Sequence, residues 1–120
     1  MRTTLSLAAL LILLAGMAAA MRHDDLRRSK EAELRQDLFT LRDVIAQYTL
    51  DKQKAPRSLE DLVKSGYLKQ IPQDPFTGKA DWEPQREDSI MTVDQREPGI
   101  DDVHSSSNQI ASGGSAYRSW

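Results

Sequence analysis

The feature that most constrains this chain is its one apolar run, Leu5 to Met21, which passes directly into an amphipathic helical pattern reaching Leu50. The run holds no charged residue and follows a lone Arg2. At ~1.5 Å per residue such a helix spans about 25 Å, just short of the ~30 Å hydrocarbon core of a bilayer. Two readings of it stand side by side. A retained anchor accounts for its length, and a cleaved secretory signal accounts for its basic start, leucine-rich centre and small-residue exit at Ala18, Ala19 and Ala20. Either one places everything after Met21 on the far side of the inner membrane. Arg22, Arg27, Arg28 and Lys30 follow the run against a single Arg2 before it, so the orientation rests on the export readings and not on the positive-inside rule.

Beyond the run, apolar residues recur at Leu34, Leu38, Leu41, Ile45 and Tyr48, with spacings of four, three, four and three. That is the signature of one buried helical face. The opposite face is charged, and Asp24 with Arg28 and Glu31 with Arg35 are acid-before-base pairs worth ~0.3–0.5 kcal/mol each on an exposed surface. No proline or glycine lies between Met17 and Gln53, so the stem is expected to run unbroken from membrane depth into the rest of the chain. It should stop near Lys52 to Lys54, because Ala55 precedes Pro56 and is steered away from helical angles. The chain therefore divides into an apolar segment (1–21), an amphipathic stem (22–54) and a head (55–120).

A short second helix is predicted after Pro56. Ser58 is a suitable N-cap, Asp61 completes a capping-box pattern, Leu59, Leu62 and Val63 form an inward face, and Gly66 closes the end. Tyr67, Leu68 and Ile71 are expected to pack beneath it. From Pro72 the string Gln73-Asp74-Pro75-Phe76-Thr77-Gly78 favours a tight turn. Three strand candidates follow: one at Trp82, one at Ser89 to Val93, which alternates polar with apolar and is the strongest, and one at Gly99 to Val103. The serine-rich, glycine-containing end of the chain is loop by composition. Its terminal Tyr117 and Trp120 predict that this loop is docked on the head.

The hundred or so residues after the apolar run can form one small domain, which buries only ~60–65% of its unfolded surface, so its core is modest. Cysteine is absent, which removes disulfides as a support and points to a metal or to packing between subunits. Sixteen basic and eighteen acidic side chains, mixed along the chain for a net charge of −2, give no basic stripe for nucleic acid. An enzymatic site is equally hard to find. His23 sits in the charged stem, where a solvated surface residue is expected, and His104 between Asp102 and Ser105 resembles a catalytic triad only in sequence order.

Taken together, several strings resemble a known family, the type II secretion pseudopilins, in particular the major pseudopilin and its type IV pilin-like relatives. The resemblance covers nearly the whole chain. It rests on Glu31 to Tyr48 as the stem, Ser58 to Leu68 as the capped second helix, Ile71 to Gly78 as the turn, and the terminal tyrosine and tryptophan. It implies an α+β pilin-like fold, in which a long N-terminal helix packs on a small antiparallel sheet of about two to four strands, with a short second helix and a C-terminal loop. It also implies a structural role as a homo-oligomeric filament subunit and no catalysis. The expected partners are copies of itself, minor pseudopilins and an inner-membrane assembly platform. Assembly would use Leu10 and Leu14 in the apolar segment, with Leu34, Leu38, Leu41 and Ile45 as the seam to the head.

Two departures from the family pattern bear on this expectation. The family's processing site is a glycine before the apolar run, with a glutamate at the fifth mature position. Here only Met1-Arg2-Thr3-Thr4 precede the run and no acid occurs before Asp24. Either a leader precedes this sequence or the protein inserts without that processing. Major pseudopilins also bind calcium in the C-terminal loop. The matching candidates here are Asp101, Asp102 and Asn108 among Ser105, Ser106, Ser107 and Ser112, but Gly113 stands where relatives carry an aspartate. Neutral oxygens forgo the charge that makes such sites tight. From a different class, a soluble periplasmic interaction domain released by signal cleavage uses the same head without its stem.

Overall fold

A computed structural model describes residues 2–120, with side chains from Leu7 onward. Leu5 and Ser6, at the start of the apolar run, lie outside the described side chains. One continuous helix, α1 (Arg2–Lys52), carries both the apolar run and the amphipathic stem. Over 51 residues it sets the 84 Å long axis of the molecule. It ends as the sequence requires: Gln53 takes a left-handed φ of 59° and the chain turns into buried Ala55 and Pro56.

The second helix, α2 (Leu59–Lys64), turns Leu59 and Leu62 into the core. Ser58 occupies the N-cap position, but its side chain makes no capping bond. The expected capping box is replaced by a different bond, in which the Asp61 carboxylate accepts the Arg57 main-chain N–H at 2.9 Å. Gly66 closes the helix at φ 82°, which lets Tyr67 and Leu68 donate back to the Leu62 carbonyl at 2.9 and 3.1 Å. The Asp74 turn forms as predicted, with the Gly78 N–H on the Asp74 carbonyl at 2.8 Å and the Phe76 N–H on the Asp74 carboxylate at 2.8 Å.

Two strands, β1 (Glu83–Arg86) and β2 (Ile100–His104), form an antiparallel sheet in which Glu83 faces His104 and Pro84 faces Val103. The third strand candidate matches β2, and the first lies immediately before β1. The strongest candidate, Ser89 to Val93, is not a strand. It lies in the loop between β1 and β2, with Ile90, Met91 and Val93 exposed. Its Met91 and Thr92 N–H groups are taken by the Gln95 side chain at 2.6 and 3.0 Å rather than by a neighbouring strand. Period-two alternation marks a strand only where a partner edge and a core lie beside it.

The core lies between the head and one face of α1. Leu34, Leu38, Leu41, Ile45 and Tyr48 are all buried, together with Leu59, Leu62, Trp82, Ile100, Val103, Ala111 and Tyr117. Tyr67, Leu68, Ile71, Phe76 and Trp120 pack around this cluster. The docking of the C-terminal loop is confirmed by a short 3-10 turn, Tyr117–Ser119, whose Tyr117 is fully buried and stacks on Phe76 at 3.8 Å between ring centroids.

Candidate functional site

Two regions stand apart from an ordinary small core: the bare stem and the polar clamp that holds the head on it. In the stem, Leu7, Leu10, Leu11, Ile12, Leu13, Leu14, Met17 and Met21 are each more than half exposed. The apolar window of this helix has none of its surface covered by the rest of the protein, and α1 is the one candidate membrane span among the described residues. A contiguous exposed apolar surface of this kind marks a lipid- or protein-facing segment or a targeting signal. Leu10 and Leu14 therefore belong to an open face, whereas Leu34, Leu38, Leu41 and Ile45 face the head. The two groups share one rigid helix but have different surroundings.

The clamp centres on Glu31. Sequence reasoning assigned Glu31 to the solvated face as a partner of Arg35; in the fold it is 4% exposed. The C-terminal loop reaches across and donates to its carboxylate three times: from the Ser112 N–H at 2.9 Å, the Ser112 hydroxyl at 2.8 Å and the Tyr117 hydroxyl at 2.7 Å. Arg27, one turn back, lies 3.7 Å from the same carboxylate and donates to the Tyr117 hydroxyl at 3.3 Å and to the Ile110 carbonyl. The Ser112 N–H bond, helped by the two hydroxyls and Arg27, holds the Glu31 carboxyl below the usual carboxylate range against the opposing effect of burial. Burial pushes the Tyr117 phenol up. Arg35, freed from its expected pairing, lies 4.5 Å over the Trp120 ring.

Further up the stem, Arg42 forms a second fastening. Its guanidinium donates to the Asp102 carboxylate at 2.6 Å, the Val103 carbonyl at 3.0 Å and the Trp120 main-chain oxygen at 2.8 Å. The third lies within the head, where fully buried Asp74 accepts the Ser105 hydroxyl. Asp37 gains no such partner. One of its carboxylate oxygens is buried without a hydrogen bond, and burial, together with the charges of Glu33 and Asp74, pushes its carboxyl up.

These contacts decide where the sequence-predicted site residues go. Asp102 is committed to Arg42, with His104 Nε2 3.6 Å away. Asn108 accepts from Arg118 at 2.9 Å, and Asp101 is exposed. Asp102 and Asn108 thus face different partners, and among the described residues no group of three or more His, Cys, Asp or Glu side chains is placed to hold a metal ion. His104 lies against the Trp120 main-chain oxygen at 2.6 Å and Gln85 at 3.2 Å, while the Ser105 hydroxyl points to Asp74. The apparent triad is therefore not assembled. His23 is exposed on the stem, as expected.

Fold and site together define a class: an α+β head clamped to the distal half of a helix whose proximal half is bare and apolar. No protein-family model, curated protein or solved structure matches the chain.

Proposed function

We propose that this chain is a pilin-like structural subunit, a pseudopilin, of a cell-envelope filament of the type II secretion or type IV pilus kind. The observation that carries the reading is the combination in α1 of an uncovered apolar half and a half that forms the spine of the head. In this reading the subunit waits in the inner membrane as a single-pass protein with its head in the periplasm. It then joins a filament in which neighbouring stems replace the lipid. Minor pseudopilins and an inner-membrane assembly platform are its partners by family resemblance, and its role is mechanical rather than catalytic.

The energetics of such a stem are uneven. Removing ~1,000 Å² of apolar stem from water is worth about 25 kcal/mol before ordering costs, so the stem does not remain free in water. Moving it from lipid to a bundle of stems gains far less, because acyl chains are as apolar as leucine and only packing distinguishes the two. The stem thus keeps the subunit in one apolar setting or the other, and contacts between heads decide when assembly occurs.

Electron microscopy of membranes from cells overexpressing the chain provides the test. Fibres containing the protein are expected. Recovery of a soluble, monodisperse head from the periplasm, with no fibres, would favour the released interaction domain instead.

A further inference from the structure

We infer that the β1–β2 loop of one copy seats its apolar tip in a groove between the stem and Trp120 of a second copy, a head-to-tail contact that rests on the filament reading above. The loop spans 87–99 and exposes Ile90 (46%), Met91 (49%) and Val93 (102%). It shows these side chains while being well fastened. Lys54 pairs with Asp94 at 2.9 Å, Arg86 donates to the Pro98 carbonyl at 2.9 Å, and Gln95 ties the Met91 and Thr92 N–H groups. The Thr92 hydroxyl and the Lys54 ammonium hold the Asp94 carboxyl down at about 2. The loop is thus built to present an apolar tip rather than to bury it.

The complementary surface is a groove of about 480 Å³ bounded by Arg35, Leu38, Phe39, Arg42, Asp43 and Trp120. Phe39 forms one wall and is 68% exposed, the largest uncovered side chain of the stem beyond the apolar run. Arg28, Arg35 and Arg42 follow one another at seven-residue intervals along this flank. The loop carries a net negative charge: Asp88 is exposed beside the tip, Glu87 is partly buried with one carboxylate oxygen unpartnered, Asp94 and Glu97 pair with Lys54 and Arg86, and Arg96 is the one cation within it. An apolar knob on an acidic loop thus matches an apolar groove whose rim carries Arg35, lying over the Trp120 ring, and Arg42, paired within its own copy to Asp102, with Asp43 the one acid on the groove wall.

Position selects the occupant. The loop is pinned at Lys54, just past the end of α1, whereas the groove centres on Phe39, thirteen residues before Lys52 or about 20 Å back along the stem. The two surfaces do not meet within one molecule, and between parallel copies the axial offset keeps the contact from being reciprocal, so their union is heterologous and repeats from copy to copy. It needs a second copy displaced by about 20 Å along the same axis, an offset that two copies anchored level in a bilayer do not have. A lipid surface is the wrong partner for the loop, because the far end of α1 lies roughly 45 Å beyond Met21. Three side chains in one groove bury far less than the ~1,200 Å² of a free-standing complex, so the contact operates between copies already brought together by their stems.

The absence of native cysteine allows a clean test in the full chain, in fibre-bearing membranes from overexpressing cells, where copies are offset along the fibre axis. Asp43→Cys and Ser89→Cys place thiols at the rim of the groove and beside the tip, both at exposed positions that leave Phe39 and Val93 in place. Copper phenanthroline with oxygen accepts the two electrons and two protons as a disulfide forms. The doubly substituted chain is expected to give a ladder of dimers, trimers and longer species, with neither single variant doing so. Adding Phe39→Ala is expected to reduce the ladder about tenfold, as for loss of a central aromatic anchor. Met17→Cys, assayed separately, reports contact between stems. Stem cross-links without the ladder would overturn the groove contact and leave the filament reading intact; loss of both would overturn the two together. Dimers from Ser89→Cys alone, as strong as those of the pair, would show loop meeting loop and overturn the head-to-tail assignment.

Discussion

Replacing Glu31 with glutamine tests whether the stem and head are one unit. The carboxylate accepts three bonds of 2.7–2.9 Å from the C-terminal loop, with Arg27 alongside. Glutamine preserves the shape but sets an amide donor against a loop donor. Hydrogen bonds to a charged group contribute ~1.5–3 kcal/mol each and do not add, so a loss of about 3 kcal/mol is expected for the variant. For a folded unit of about a hundred residues, stem and head together, this lowers Tm by about 12–24 °C. Melting of the chain in detergent, followed by the fluorescence of buried Trp82 and half-buried Trp120, provides the measurement. The pH dependence carries a sign. The folded-state carboxyl titrates below its unfolded value, so its stabilisation is present above about pH 4.3 and disappears as pH falls through the lower, folded value. Wild type is expected to lose stability in that acidic window, and Glu31→Gln to be flatter there. A Tyr117→Phe cycle should couple to Glu31 by about 1–2 kcal/mol. A Glu31→Gln variant within about 0.5 kcal/mol of wild type, the range of ordinary surface changes, would refute the clamp.

Other substitutions test separate parts of the account. Leu41→Ala, at a fully buried seam position, is expected to cost about 2–4 kcal/mol by leaving a cavity under the head, measured by the same melt. Gly99→Ala should destabilise by about 1–3 kcal/mol, because its new Cβ would meet the Ala55 Cβ at 2.5 Å and the Ala55 carbonyl oxygen at 2.7 Å. Asp37→Asn should stabilise the protein at neutral pH, since the native carboxyl titrates above its ordinary value and its ionisation costs stability as pH rises through that window. A pH-independent gain in Asp37→Asn would contradict that cause. Calcium at millimolar concentration should leave Tm unchanged, as the Asp102 carboxylate is held by Arg42; a rise of several degrees would show that the loop rearranges around the ion.

What the sequence made legible follows from how each element is encoded. The α1 seam is local and periodic, so Leu34 through Tyr48 were identifiable from spacing alone. The end of α1 and the close of α2 were written in Pro56 and Gly66, whose backbone limits act at a single residue. The strand β1, Glu-Pro-Gln-Arg, carries no such mark: all four residues are exposed, and its pairing comes from β2 across a long loop. Ser89 to Val93 fails for the converse reason, as alternating residues that gained no partner edge. Glu31 was misplaced because a buried charge is legible only with its distant partners, and Ser112 and Tyr117 lie more than eighty residues away. The bare apolar half was visible at once. That its neighbour Phe39 opens a groove against Trp120 depends on the folded C-terminal loop and on nothing local.

The most direct test of the central claim, that the uncovered apolar half of α1 stays joined to the clamped head in the working protein, is the intact mass of the protein recovered from membranes. The account predicts a detergent-requiring species whose mass includes Leu7 to Met21. A species that begins near Met21 or Arg22, released by osmotic shock, would contradict it.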